Sequence, residues 1–267
     1  MATNRGLIDK TVKLTRSGAN HAASLLFQVL KDELGFAKVE SSMLVDQSLG
    51  REAVRPVMTV CRHSIPQLSI DDLAATGIVV RKRMISDGDE CALLPEEADA
   101  FAGSVIKRRR ASGAARIAAR ELLARLGYAY STALPKSASG APIWPQGIVG
   151  SLAHDSRFAI AAVGRRHDVA ALGIDIEPAE SLPFELDLIA TPRERLSISS
   201  YRYIGRLLFS AKEAVYKAVH PLDNVFLEHH DVEIDFDTRK AIVRGRRVLD
   251  LRFCISTSLV TIAFIRS

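Results

Sequence analysis

Phe209-Ser-Ala-Lys-Glu-Ala-Val-Tyr-Lys-Ala-Val-His220 decides the fold, because Phe209, Val215 and Val219 supply a packing face while Lys212, Glu213 and Lys217 carry charge. Glu213 and Lys217 are four residues apart, one turn on the same helical face, and Lys212 lies to the side. Upstream, Gly173-Ile-Asp-Ile-Glu177 has the period of a strand: Ile174 and Ile176 point one way, Asp175 and Glu177 the other. Pro178 lacks an amide hydrogen and is expected to end that strand, leaving both acids near its carboxyl end, where sheet-based sites open. Magnesium takes oxygen ligands, commonly one or two carboxylates plus substrate phosphate oxygens. Asp175, Glu177 and Glu213 are therefore candidate metal ligands, with Lys212 and Lys217 beside them. Taken singly, each run reads more readily as solvated charge; it is their combination that points to chemistry.

Outward from these runs, Ala22 to Leu34 reads as an amphipathic helix and Gly77 to Val80 as a strand entering Arg81-Lys-Arg83. Pro95 to Leu126 reads as one or two helices broken near Ser112-Gly113 and capped by Gly127. Pro135 to Gly147 is loop-like. Phe158 to Val163 reads as a strand that turns at Gly164 and the Arg165-Arg-His-Asp168 tip and returns through Ala170 to Glu177. After the charged helix, Asp231 to Phe236, Lys240 to Val243, Leu249 to Cys254 and Leu259 to Ile265 predict a closing antiparallel sheet. This order of helices and strands makes the fold class α+β.

The 267 residues are 48% hydrophobic, ample for a packed core and unlike a disordered chain. The formal charge is +5, and Lys107 to Arg120 holds six basic residues and no acid, which implies an anionic ligand or an acidic partner. Cys61, Cys91 and Cys254 are too scattered for a zinc motif and too few for a disulfide framework, which suggests reduced thiols in a cytoplasm. The apolar stretch Ala22 to Leu30 is nine residues long, against roughly 20 for a bilayer span, so no membrane association is expected. Tandem His229-His230 beside Asp231 reads as a polar turn rather than a zinc site. His154, after Gly150-Ser-Leu-Ala, reads on its own as a satisfied loop histidine.

Taken together, Gly173-Ile-Asp-Ile-Glu177 and Phe209-Ser-Ala-Lys-Glu-Ala-Val-Tyr-Lys217 resemble the paired signature of the 4'-phosphopantetheinyl transferases, of the larger, pseudo-dimeric, enterobactin synthetase component D type. Lys107-Arg-Arg-Arg110 with Ala115-Arg-Ile-Ala-Ala-Arg120 is similar to that type's basic helix, Gly140-Ala-Pro-Ile-Trp-Pro145 to its Trp-Pro turn, and Gly150-Ser-Leu-Ala-His154 to its histidine segment. The resemblance spans about residues 93 to 222; Ala153 stands where the family has Ser or Thr.

The resemblance implies two similar α+β halves related by a pseudo-twofold, residues 1–168 and 169–267, in a monomer. It implies that Arg108, Arg116 and Lys136 hold the nucleotide end of coenzyme A, with Lys212, Lys217 and His154 near its phosphates. The implied reaction is that of a holo-acyl-carrier-protein synthase. A serine of an apo acyl or peptidyl carrier protein attacks the phosphorus bearing the pantetheine arm, and 3',5'-ADP leaves. Magnesium on Asp175, Glu177 and Glu213 would neutralise the pyrophosphate, with Glu213 the candidate base and Lys217 and His154 stabilising the leaving side. The carriers would belong to siderophore or nonribosomal peptide synthesis, or to fatty acid or polyketide synthesis. Two other classes remain: a coenzyme A or nucleotide binding module without catalysis, and a nucleic-acid binder using Lys107 to Arg120, which the acidic motifs disfavour.

Overall fold

The computed structural model describes residues 39–44, 55–60, 76–197 and 203–267, in two units, Met1–Ser64 and Ile65–Ser267. In the first unit, β1 (Val39–Leu44) pairs antiparallel with β2 (Arg55–Val60), Val39 opposite Val60. The helix expected over Ala22 to Leu34 lies outside the described residues.

The second unit opens with β3 (Val79–Met84), a 3-10 turn at Asp89–Ala92 and the short α1 (Pro95–Ala98). The twenty-residue α2 (Ile106–Arg125) follows. Next come β4 (Ile148–His154), β5 (Phe158–Arg165) and β6 (Val169–Pro178), then α3 (Pro192–Ser197) and the twenty-residue α4 (Ile204–Asp223). The chain closes with β7 (Val232–Asp235), β8 (Lys240–Val243), β9 (Arg247–Ile255) and β10 (Ser258–Arg266). The strands form a three-stranded sheet, β3-β5-β4, and a five-stranded sheet, β6-β10-β9-β8-β7, antiparallel throughout. The class is α+β.

Strand alternation sets the layers. Ile148 of β4 and Ala161 and Val163 of β5 pack against Ala118, Leu122 and Leu123 of α2. Their neighbours Val149, Ala153, Ile160 and Ala162 turn the other way and meet Leu172, Ile174 and Ile176 of β6 and Val260, Ile262 and Phe264 of β10. On the far face of the five-stranded sheet, Ala171, Leu259 and Ala263 pack against Leu207, Ala211, Ala214, Val215 and Ala218 of α4. The order across the unit is helix, sheet, sheet, helix. β6 is thus covered on both faces, which is why it reads as a nearly unbroken apolar run interrupted only by its acids.

Two expectations are corrected. Ser112-Gly113 does not break α2: a Cβ at Gly113 would stand 1.9 Å from the Asp89 carbonyl oxygen, so the glycine lets the 3-10 turn lie against an unbroken helix. His154 is not in a loop but ends β4, paired with Ala159. Gly127, at φ +93°, caps α2 as expected, with the Gly127 amide donating to Ala124 O (3.1 Å) and Tyr128 to Leu123 O (3.0 Å). No described helix is long and apolar enough to cross a membrane.

Candidate active site

Gly173 sets the site. A Cβ there would lie 1.9 Å from Ala214 O, so only glycine lets α4 sit flat on β6. Two residues along the strand is Asp175 and three along the helix is Lys217, and they meet: Lys217 Nζ donates to Asp175 Oδ1 at 2.6 Å. Asp175 Oδ2 is buried without a hydrogen-bond partner, and so is the hydroxyl of Thr261, directly across from Asp175 on β10. Glu177, at the open end of β6, accepts from Arg206 Nη1 at 2.9 Å, while Arg206 Nη2 donates to Ser181 O. Desolvation and the neighbouring charge of Asp175 raise the Glu177 pKa against the pull of Arg206. Glu213 Oε1 is 3.5 Å from His229 Nε2, and that imidazole is the main cause holding the Glu213 carboxyl below its ordinary range.

Each carboxylate therefore has a basic neighbour of its own, and among the described residues no three His, Cys, Asp or Glu side chains are gathered into a metal-ligand cluster. The donor chemistry nevertheless fits a hard divalent cation: carboxylate oxygens, with burial and the neighbouring Asp175 charge raising the proton affinity of Glu177, and one buried Asp175 oxygen with no partner. His154 ends β4 within electrostatic reach of Lys217 and Asp175; partial desolvation, more than the Lys217 charge, lowers its pKa.

The basic helix divides in two. Arg116 is 3% exposed and donates from Nε (3.1 Å) and Nη2 (2.9 Å) to Leu134 O, with Glu97 3.6 Å away. Arg120 donates to both Glu97 oxygens and to Ala92 O. Arg110 pairs with Glu90 and Asp87. Arg116, expected on coenzyme A, is thus a structural residue that ties α2 to the loop ahead of Lys136. The basic spacing along the helix could not reveal a buried acid supplied by α1. Arg108 is exposed, and among the described residues neither it nor Lys107 nor Arg109 has an acidic partner. Lys136 lies over the Phe101 ring, 4.0 Å from its centre; partial burial, then the charges of Arg108 and Arg116, lower its pKa, so an anion there would relieve a crowded positive site.

Lys212 is corrected in the same way. At 2% exposure it donates to Glu194 Oε2 (2.8 Å) and to the carbonyls of Ile189 (2.7 Å), His229 (2.8 Å) and Val232 (2.7 Å). With every hydrogen of its ammonium engaged, it has none for a phosphate. Ala153 and Ser151 are both buried, so neither strand residue presents a hydroxyl to a ligand. Sequence reasoning missed Arg206, Glu194 and Thr261, and it read His229 only as part of a polar turn. Their partners are 29, 40 and 86 positions away for the first three, a separation that carries no local periodicity. The Pro-x-Glu start shared by Pro95 to Glu97 and Pro192 to Glu194 was the one available signal.

Comparison with known proteins shows the family. Residues 96–164 match the family model of the 4'-phosphopantetheinyl transferase N-terminal domain, and residues 171–261 that of the 4'-phosphopantetheinyl transferase superfamily. The chain is 39% identical over 197 residues to 4'-phosphopantetheinyl transferase PptT of Mycobacterium tuberculosis, covering 72% of this chain and 84% of that protein. It is 42% identical over 152 residues to 4'-phosphopantetheinyl transferase Svp of Streptomyces mobaraensis, 54% of this chain and 61% of that one. A shorter stretch, 119 residues at 34% identity, aligns with enterobactin synthase component D of Escherichia coli, 42% of this chain and 55% of that one. The two models together take in the basic helix, the acidic strand and the charged helix, and with the Mycobacterium tuberculosis relative they show that the chain belongs to the 4'-phosphopantetheinyl transferase superfamily.

Proposed function

We propose that Asp175, Glu177 and Glu213 hold magnesium, that Lys217 and His154 act on the pyrophosphate, and that Arg108 and Lys136 take the nucleotide end of coenzyme A. As a family member the chain transfers the 4'-phosphopantetheine arm of coenzyme A to a serine of an apo carrier protein, giving holo carrier and 3',5'-ADP. The observation that carries the residue assignment is Asp175, with one oxygen paired to Lys217 at 2.6 Å and the other buried and unpartnered. Magnesium bound there would neutralise the charge that accumulates on the pyrophosphate oxygens.

The chain's own groups do the rest. The serine oxygen bonds to phosphorus, the phosphorus bond to the ADP oxygen breaks, and Glu213 takes the serine proton; its lowered pKa keeps it ionised for that step. Lys217 donates to the leaving pyrophosphate oxygen from a helix face fixed by Gly173, and His154, neutral at pH 7, donates a hydrogen bond rather than a charge.

The net charge of +5 suits acidic acyl or peptidyl carriers. The name of the Escherichia coli relative makes peptidyl carriers of siderophore assembly the first substrates to test, and acyl carriers of fatty acid or polyketide synthesis the second. The division into residues 1–168 and 169–267 and the pseudo-twofold are supported by the same device in each half: a buried glutamate, Glu97 or Glu194, bound to a cation of the long helix that follows it. One chain then forms the whole site, and a monomer is expected by light scattering. A cytoplasmic location accords with free, exposed Cys91 and Cys254.

The test is labelling of an apo carrier with coenzyme A bearing a fluorophore on its thiol. Label should appear on the carrier, disappear when its serine is replaced by alanine, and fail to appear with Asp175→Asn. Tight coenzyme A binding without labelling of any carrier would turn the reading to an inert binding module.

A further inference from the structure

His229 is held from three sides. Its carbonyl accepts from Lys212 Nζ at 2.8 Å, and the same ammonium holds Val232 O and the Glu194 carboxylate, so the His229–Asp231 turn is fastened to the interior of α4. Its ring lies against Phe209, with centroids 5.6 Å apart and planes at 39°. The turn closes on itself through the Glu228 amide, which donates to Asp231 Oδ2 at 3.0 Å, and Arg244 donates to the same carboxylate at 2.9 Å. The ring's position is thus set by backbone and stacking contacts that do not involve Glu213.

One edge of that ring is half-exposed, but Nε2 is buried and has no hydrogen-bond partner. Glu213 Oε1, 3.5 Å away, is the acceptor that faces it. A buried donor left without an acceptor is costly, so a small closure between the two groups is favoured. Adjacent residues of α4 therefore grip one residue of the turn: Lys212 by its carbonyl, Glu213 by its ring.

We infer that His229 is a positioning residue for Glu213: the fixed imidazole selects the carboxylate rotamer that turns its second oxygen toward Asp175 and Glu177. This rests on the reading of those three carboxylates as the magnesium site. Partners of this kind, which orient a ligand without touching the metal, typically change metal affinity or activity 10- to 100-fold when removed. His229 would also restrain Glu213 in the geometry needed to accept the serine proton.

The test is manganese binding followed by electron paramagnetic resonance, with coenzyme A present and no carrier, so that no turnover is read. His229→Phe removes the donor and keeps a ring on Phe209; it should weaken manganese binding about tenfold with an unchanged melting temperature. His229→Gln, which keeps an amide donor, should recover most of that loss. In the transfer assay, kcat should fall for His229→Phe while the KM for coenzyme A stays the same. Wild-type manganese affinity in His229→Phe, with Asp175→Asn abolishing binding, would overturn the positioning role and leave the metal site standing. Full manganese binding by Asp175→Asn would overturn the metal site and the positioning role together.

Discussion

Glu97 and Glu194 occupy the same kind of place in two parts of the molecule, and the contrast between them separates residues that build the protein from residues that act. Each glutamate lies two positions after a proline that starts a short helix, and each accepts from the amide three residues back, Leu94 or Thr191. Each also accepts from an amide beyond the following long helix: Leu134 at 2.7 Å for Glu97, Ile234 at 2.6 Å for Glu194. The difference lies in the cation. Glu97 faces two arginines of α2, and Arg116 passes its hydrogens on to Leu134 O, two residues before Lys136. Glu194 faces one lysine of α4, which passes its hydrogens on to the turn that meets Glu213. In both places a buried ion pair fixes the segment that carries a side chain of the proposed site, Lys136 in one and His229 in the other, and in both the cation that looked like a phosphate holder is engaged within the protein.

The largest effect should come from breaking either pair. Glu97→Ala and Glu194→Ala each leave a buried cation uncompensated and should lose about 3–5 kcal/mol in chemical denaturation. A large loss at one site and none at the other would break the likeness between the two parts. Next in size are the two close approaches. Gly113→Ala sets a methyl against Asp89 O and Gly173→Ala against Ala214 O, and each should lower stability by about 1–3 kcal/mol. Only the second should also slow transfer, because it moves Lys217 off Asp175.

Smaller again is the division within the basic helix. Arg108→Ala and Lys136→Ala should each weaken coenzyme A binding about tenfold in calorimetry, with melting temperature unchanged, since a charge-assisted hydrogen bond is worth about 1.5–3 kcal/mol. Arg116→Ala should instead lower the melting temperature. The smallest effect is one of pH. Desolvation lowers the folded-state pKa of His154, so the unfolded chain takes up that proton first. The histidine's contribution is present above about pH 6.5 and is lost as pH falls through its folded value. Denaturation midpoints at pH 7.5 and 5.5 should therefore differ more in wild type than in His154→Gln, and the His154 imidazole should titrate below the ordinary value by NMR.

The strand with paired acids, the charged helix, the Gly127 cap and the four closing strands were legible because each depends on local period or on a single residue's backbone freedom. β4 escaped because its start, Ile148 to Ser151, is short and contains Gly150, whose missing side chain makes room for Trp144, a contact no local pattern reveals. In the site, Asp175 and Lys217 were named together from motif order, and they touch. Arg116 and Lys212 were assigned to a ligand because a basic side chain in sequence does not disclose an acid arriving from 19 or 18 residues upstream. Arg206 and His229 were not assigned to the site because their roles exist only once α4 and the turn after it are packed.

Of the two lysines of the charged helix, Lys212 is bound within the interior, and Lys217, on Asp175, is the one proposed to act. Intact-mass analysis of an apo carrier protein incubated with coenzyme A and magnesium tests that role most directly, using wild type and a Lys217→Met variant whose melting temperature matches wild type. Wild type should add the mass of one phosphopantetheine arm, and Lys217→Met should leave the carrier unmodified. The same added mass at the same rate from both, or none from wild type, would contradict it.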